Sequence, residues 1–355
     1  MRWPRTEGPR GRPCENRAPV ELRRWVHDGE ILDPERGFEP RALRVEIRED
    51  PLTRQTTRIL PPAGLLPPQK ETHLRTLGEQ TRAGCPFCSE RVEQVTPKLP
   101  ARITPEGRIR RGEALLFPNL LPYAQFSSVS VYSPERHVLP LAELTPRLVA
   151  DNLAAQVTWA RACVEADPDA AWVSINANHM LPSGSSVFHP HLQGAVNPVP
   201  TTMQRLLAHV PPDRFQDYLA REQAEGVRYL GGRERVMWLA SFAPLGPCEL
   251  RAFVPGVVSP TGLGEDAVEE LGAGIATAAG LYAELGFESF NLAIYGAPPG
   301  TDGYPLNVRM IARSSLLRFY RSDATWLERL HWEAAIDVTP EELARAAGDR
   351  FHRAE

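Results

Sequence analysis

Apolar and polar residues alternate over Leu43–Ile47, and a second extended run spans Thr56–Leu60. Side chains of a strand point alternately to two faces, so each run reads as a β-strand with one buried side. Ala114–Phe117 and Ser128–Tyr132 read the same way. The period then changes. Thr145-Pro146 supplies a hydroxyl cap and a first-turn proline, and Leu148, Val149, Leu153, Val157 and Ala160 follow at helical spacing. Trp172–Ile175 and Val187–Gln193 return to strand. The second half repeats this order, with strands at Val236–Phe242 and Leu250–Val254, a helix over Glu265–Leu285 stopped by Gly286, and strands at Phe290–Tyr295 and Leu306–Ile311. Thr339-Pro340-Glu341-Glu342 is a capping box that opens a last helix. The repetition predicts an α+β fold in which one unit is duplicated around antiparallel sheet.

Pro and Arg crowd residues 1–40, which read as an extension. Residues 61–82, with Pro61-Pro62 and Pro67-Pro68, read as a linker. The 355 residues suffice for two domains, and 42% hydrophobic with 24% charged residues is ordinary for a globular chain. The net charge of −4 argues against a nucleic-acid partner. No window approaches the roughly 20 apolar residues of a membrane span, and the first residues lack the apolar core of a signal peptide. A cytoplasmic protein is the expectation. Five cysteines in this length do not suggest a secreted disulfide scaffold. Cys163 and Cys248 read as small core residues and Cys14 as part of the N-terminal extension.

Cys85-Pro86-Phe87-Cys88 is a C-x-x-C knuckle, and two thiolates at this spacing grip one tetrahedral ion. His137 and His189 supply the two further ligands of a closed Cys2His2 site, which reads as structural zinc, one ion per chain. A redox pair and two unmetallated thiols are the alternatives. His189-Pro190-His191-Leu192-Gln193 is the most chemical stretch. In an extended segment His189, His191 and Gln193 share one face. His209, His331 and His352 have no partners at metal spacing and read as surface or core residues.

Cys85-x-x-Cys88, Phe117-Pro118-Asn119, His137, Asn178, Gly184-Ser185-Ser186 and His189-Pro190-His191-x-Gln193 occur in an order and spacing that resembles the galactose-1-phosphate uridylyltransferase family, the transferase branch of the histidine-triad superfamily. Glu333 and the run Thr339 to Ala344 resemble that family's tail. Asp50-Pro51-Leu52-Thr53 resembles its first sheet segment, with Arg54 where a glycine is usual, and Leu120 stands where an acid often follows the family asparagine. The resemblance spans roughly residues 45–350.

The resemblance implies two tandem histidine-triad-like units with antiparallel sheets and flanking helices. The catalytic unit would occupy 41–210, with the zinc site, and the second unit 211–355. It implies that His191 attacks the α-phosphate of a nucleotide sugar to form a nucleotidyl-histidine, and that Gln193 holds a non-bridging oxygen. Asn178, Gly184, Ser185 and Ser186 would meet the phosphates, and Phe117 and Asn119 the nucleoside. Pro305 and Asn307 fall where relatives carry a second H-x-H, so no second metal is expected. Arg309 and Arg313 read as exposed residues, with a sugar-phosphate contact as the alternative. The leading function is transfer of a nucleoside monophosphate from UDP-glucose to galactose 1-phosphate, with pairing into homodimers implied. The alternatives are a phosphorylase that cleaves a nucleotide sugar or dinucleoside polyphosphate with inorganic phosphate, and a zinc-stabilised nucleotide-binding protein with little turnover.

Overall fold

The computed structural model describes residues 20–60, 74–315 and 322–352. Cys14 lies outside them, as do residues 1–19 of the extension and 61–73 of the linker. In chain order the strands are β1 (Arg24–Asp33), β2 (Glu39–Glu49), β3 (Thr56–Ile59), β4 (Ile109–Arg111), β5 (Ala114–Pro118), β6 (Phe126–Val131), β7 (Trp172–His179), β8 (His191–Asn197), β9 (Tyr229–Gly232), β10 (Met237–Ala240), β11 (Leu250–Val254), β12 (Ser289–Tyr295), β13 (Leu306–Arg313) and β14 (Ala334–Ile336). The α-helices are α1 (Leu74–Arg82), α2 (Val92–Val95), α3 (Pro146–Ala166), α4 (Thr202–Ala208), α5 (Pro212–Glu225), α6 (Glu265–Glu284) and α7 (Pro340–Ala347).

The fold is α+β. Ten strands form one sheet in the order β4-β5-β6-β8-β7-β12-β13-β11-β10-β9. Read inward from each edge, the two halves have the same order, β4-β5-β6-β8-β7 and β9-β10-β11-β13-β12. They meet where β7 pairs antiparallel with β12, Asn178 opposite Asn291. The long helix follows the third strand in each half; the repeated order is as expected, with β4 and β9 added in front of the two expected strands. The halves share one continuous sheet rather than stacking two.

Helices α3 and α6 cover one face. Thr145 caps α3 by accepting from the Leu148 N–H, with Pro146 in the first turn. The helices touch closely at Gly272, where a Cβ would lie 2.9 Å from the Ala150 nitrogen. Leu192, Ile175 and Ala177 point into this layer with Leu292, Val308 and Met310. Gly194 is pressed so hard on α3 that a Cβ would meet Gln156 Oε1 at 2.3 Å and the Trp159 ring at 2.4 Å. That contact fixes which side of β8 faces the helices, and His191 and Gln193 take the other side.

The opposite face is treated differently in the two halves. In the second half, Phe253, Leu239 and Tyr304 are buried under Leu207 of α4 and Phe215 and Tyr218 of α5. The turn after β2 seals this region. Asp50 accepts at one oxygen from the Leu52 and Thr53 amides, at 2.9 and 2.8 Å. Its other oxygen accepts from Arg251 at 2.8 Å and Arg309 at 3.2 Å, and Arg309 also binds Glu249 at 2.7 Å. Arg309, read from sequence as exposed or phosphate-binding, is therefore buried and ion-paired inside the protein. Arg54 adopts φ +66, the left-handed region that favours glycine.

The first sheet has the order β1-β2-β3-β14. Residues 20–40, read as extension, carry β1 and enter β2 as one long hairpin. The tail returns to this sheet. Glu333 accepts from Thr56 and Arg58, and Glu341 accepts from both guanidinium nitrogens of buried Arg48. Thr339 and Glu342 make the expected capping box of α7. Two further expectations fail. Leu74–Arg82 is helix, not linker, because Leu74 packs with Met180 and Phe188 and Gly78 admits Val138. The strand expected over Val187–Gln193 runs His191–Asn197, since Pro190 has no N–H for a ladder.

Removing the carboxylate at Asp50 leaves two buried guanidinium groups undercompensated. Asp50→Ala should destabilise the protein by about 3–5 kcal/mol in urea unfolding. The arginines hold the Asp50 carboxyl below its usual range against the opposing effect of burial. Its stabilisation is complete above the unfolded value near ~4 and is lost as pH falls through the lower folded value. Wild type should therefore lose stability below about pH 4 more steeply than the alanine variant.

Candidate active site

Cys85 and Cys88 sit in the loop after α1, His137 follows β6, and His189 ends the loop that leads into β8. Their ligating atoms all lie within 4.8 Å of one another, and all four residues are buried. Cys85 Sγ and Cys88 Sγ are each 3.6 Å from His189 Nδ1, and Cys88 Sγ is 3.3 Å from His137 Nδ1. A tetrahedral ion with S at ~2.3 Å and N at ~2.05 Å demands an S–N separation of ~3.6 Å. The outer ring nitrogens are committed. His137 Nε2 donates to the Gly78 carbonyl at 2.9 Å, with Thr81 Oγ1 also at 2.9 Å, and His189 Nε2 donates to Ser133 O at 2.9 Å. Both rings therefore turn an Nδ1 lone pair inward. Burial lowers His137 and takes His189 down to about 3, so both rings are neutral. Burial, and next the Cys85 thiol, push Cys88 up to about 12, so this thiol keeps its proton unless a cation draws it off. The four residues fit one metal ion.

Two residues on, His191 begins β8. Its Nδ1 donates to the His189 carbonyl at 2.9 Å, which leaves Nε2 with its lone pair. Gln193 Nε2 lies 3.5 Å from that atom. Burial lowers the His191 pKa, so the ring is neutral at pH 7. His191 and Gln193 share a face, as expected. His189 precedes the strand and turns to the metal cluster. Phe87, inside the knuckle, stands edge-on to His191 with ring centres 5.4 Å apart and packs on Phe117 at 5.3 Å. Phe117 is only 1% exposed and lies beneath the surface, with the Arg108 guanidinium over its ring. Asn119 is half-buried, its Oδ1 accepting from the Leu121 amide. Leu120 is 76% exposed.

Asn178 is on β7, one place beyond the pair Ala177–Leu192, so it comes opposite His191. Gly184, with φ +97, turns the chain after Asn178, and Ser185 Oγ donates to Val187 O at 2.7 Å. The loop Gly184–Ser186 thus rims the row. Asn178, His191 and Gln193 are brought together with it, while Phe117 and Asn119 stand at its far side past Phe87. Sequence reasoning missed Phe87, Asn176 and Asn291. Asn291 left one signal, a lone polar side chain within the apolar strand Phe290–Ile294. Arg313, read as exposed, is held by Asp323 at 2.7 Å and donates to Asn291 Oδ1. No helix of the described residues is long and apolar enough to cross a membrane.

The site is thus an imidazole and carboxamides aligned on one face of a duplicated antiparallel sheet. Solved structures agree in fold. The chain matches an ADP-glucose phosphorylase of Arabidopsis thaliana with bound ADP-glucose at TM-score 0.64 and 16% identity, covering 88% of this chain and all of that one. A GalT-like protein of the same plant matches at TM-score 0.62 and 17% identity, over 85% and 97% of the two chains. A uridylyltransferase structure matches at 0.58 and 19% identity, over 87% and 99%. No protein-family model matches the chain. An uncharacterized protein of Archaeoglobus fulgidus is 31% identical over 309 residues, 85% of this chain and 91% of the relative. The chain belongs to one family with this archaeal protein, and its fold is that of the solved uridylyltransferase and GalT-like structures.

Elemental analysis of the purified protein should find about one metal ion per chain, the content of a closed four-ligand site. Cys88→Ser should release it and lower the melting temperature by on the order of 10 °C, since metal binding is coupled to folding.

Proposed function

We propose that this protein is a nucleotidyltransferase that acts on nucleoside diphosphate sugars through a covalent nucleotidyl-His191. The observation that carries this reading is the committed Nδ1–H of His191, which leaves a neutral, unshared Nε2 beside the Gln193 carboxamide. An unprotonated imidazole attacks without a separate base. His191 Nε2 forms a bond to the α-phosphorus, the bond from that phosphorus to the bridging oxygen breaks, and the sugar 1-phosphate leaves with the electron pair. Its low basicity removes the need for a strong acid. An oxygen of the acceptor phosphate then attacks the same phosphorus, and the P–N bond returns its electrons to the ring. Positioning and charge stabilisation suffice for such a transfer.

Gln193 is assigned to a non-bridging oxygen of the bound phosphate. A carboxamide donates a hydrogen bond but shuttles no proton, which supports transfer over hydrolysis. Asn178, Gly184, Ser185 and Ser186 are assigned to the phosphates. Asn119 is assigned to the nucleoside, with Phe117 shaping that wall from below. The cation is assigned as zinc, held structurally by Cys85, Cys88, His137 and His189, which suits a reducing compartment such as the cytoplasm. The donor favoured is UDP-glucose and the acceptor galactose 1-phosphate. A second reading keeps His191 in the same role and uses inorganic phosphate as acceptor. The likeness in fold to an ADP-glucose phosphorylase supports it.

Incubation with UDP-glucose, ADP-glucose or GDP-glucose labelled at the α-phosphate, without acceptor, should place acid-labile, base-stable label on the protein. The labelled donor names the base. Discharge by galactose 1-phosphate or by inorganic phosphate separates the two readings. His191→Gly should take no label, and a variant that labels like wild type ends the assignment. Gln193→Ala should lower the labelling rate by on the order of 10- to 100-fold, the loss of one hydrogen bond to a charged group.

A further inference from the structure

Asn291, Asn178 and His191 stand in one row across β12, β7 and β8, on the face away from α3 and α6. Asn291 pairs with Asn178 in the ladder, and Asn178 falls opposite His191 one place past Ala177–Leu192. Adjacent strands are only ~4.8 Å apart, so each carboxamide is within reach of the next.

The direction of every hydrogen bond in this row is dictated from its far end. Arg313 is chelated by Asp323, with Nε donating at 2.7 Å, and it points Nη1 at the Asn291 side chain. A guanidinium has donors and no acceptor. The Asn291 atom that faces it must be the oxygen, so the nitrogen of Asn291 faces the other way. There it donates to Asn178 Oδ1 at 2.6 Å and to the Ser183 carbonyl at 2.9 Å. The oxygen of Asn178 is thereby consumed. Its Nδ2 is turned to the loop side, where its one protein acceptor is Gly184 O at 3.5 Å, the outer limit of a hydrogen bond. One N–H of Asn178 is left for an anion, and the other is held only by this long contact.

We propose that Asn291, set by Arg313 and Asp323, is a positioning residue supplied by the second half of the chain: it fixes the orientation of the Asn178 carboxamide so that N–H groups, not oxygen, face the phosphates of the substrate at His191. This rests on the reading that His191 faces a phosphate. A freely rotating carboxamide would present its oxygen to a phosphate in part of the population, and that dipole repels the anion. Preset donors cost no reorganisation when charge develops.

The discriminating substitution is Asn291→Asp, which keeps the size and retains an acceptor for Arg313. A carboxylate can only accept, so Asn178 must turn its nitrogen toward residue 291 and its oxygen toward the phosphates. Asn291→Ala removes the constraint without reversing it. The expected order of labelling rates is wild type, then Asn291→Ala lower by a few fold, then Asn291→Asp lower by on the order of 100-fold. A purely steric role for Asn291 gives the opposite order, with the isosteric Asp the milder change. In an Asn178→Ala background Asn291→Asp should cost little more. An equal cost there means plain charge repulsion and overturns the proposal, as does a wild-type rate in Asn291→Asp. Calorimetry gives a second readout that needs no turnover. Asn291→Asp should weaken binding of UMP and AMP but leave uridine and adenosine unchanged, and parallel loss of both kinds would mean a general structural defect. A wild-type protein that takes no label from any donor defeats the function proposed above. The orientation of Asn178 is then still judged by the nucleotide and nucleoside affinities.

Discussion

The structure depends on the antiparallel pairing of β7 with β12. This one ladder turns two similar five-stranded arrays into a single sheet. It also brings side chains more than a hundred residues apart in sequence to adjacent positions on one face. Without it Asn178 would end a sheet edge and its carboxamide would turn freely in water. With it, a hydrogen-bonded chain runs from Asp323 through Arg313 and Asn291 to Asn178, in the row opposite His191. The register is enforced from the other face. Gly194 lies so close to Gln156 and Trp159 that β8 cannot slip by one residue without driving a side chain into α3. Packing on the helical side thus determines chemistry on the open side.

The two halves have spent the same architecture differently. In the first half the face opposite the long helix keeps Gln193, Asn176 and Asn178 half-buried around the buried His191. In the second half the corresponding face is closed by α4, α5 and the turn at Asp50. Its polar side chains, Arg251, Arg309 and Glu249, neutralise one another and Asp50. These charges are tolerated in the interior because two carboxylates and two guanidinium groups compensate one another. A single one would be a liability in so dry an environment. The duplication is visible in strand order, while the chemistry has become one-sided.

Much of the fold was legible because its elements are long and regular. The Thr145 cap, the apolar stripe of α3, the repeated order of the second half and the capping box at Thr339 were all read from local pattern. The metal-ligand set was legible because C-x-x-C and two histidines have few other uses together. What escaped was what depends on distant partners. Leu74–Arg82 was hidden among prolines, and its helix is held by Met180, Phe188 and Val138. Val187–Pro190 has the alternation of a strand but serves as the arm that delivers His189 to the cluster. Arg309 was masked by the abundance of arginine, and only the position of Asp50, 259 residues away, makes it a core residue. Asn291 lies in no motif, and its meaning comes entirely from the strand beside it.

The rims of the two sheets differ in a way that bears on solution behaviour. The ten-stranded sheet ends in β4, three residues long and closed by Arg110-Arg111, and in β9, four residues ending in glycine. Edges this short give an incoming chain little to pair with. The four-stranded sheet instead ends in β1, ten residues long and exposed along nearly its whole length, with Trp25, Ile31 and Leu32 open to solvent. Any tendency of this protein to self-associate through backbone pairing is therefore concentrated in the hairpin arm, at a rim remote in sequence from His191.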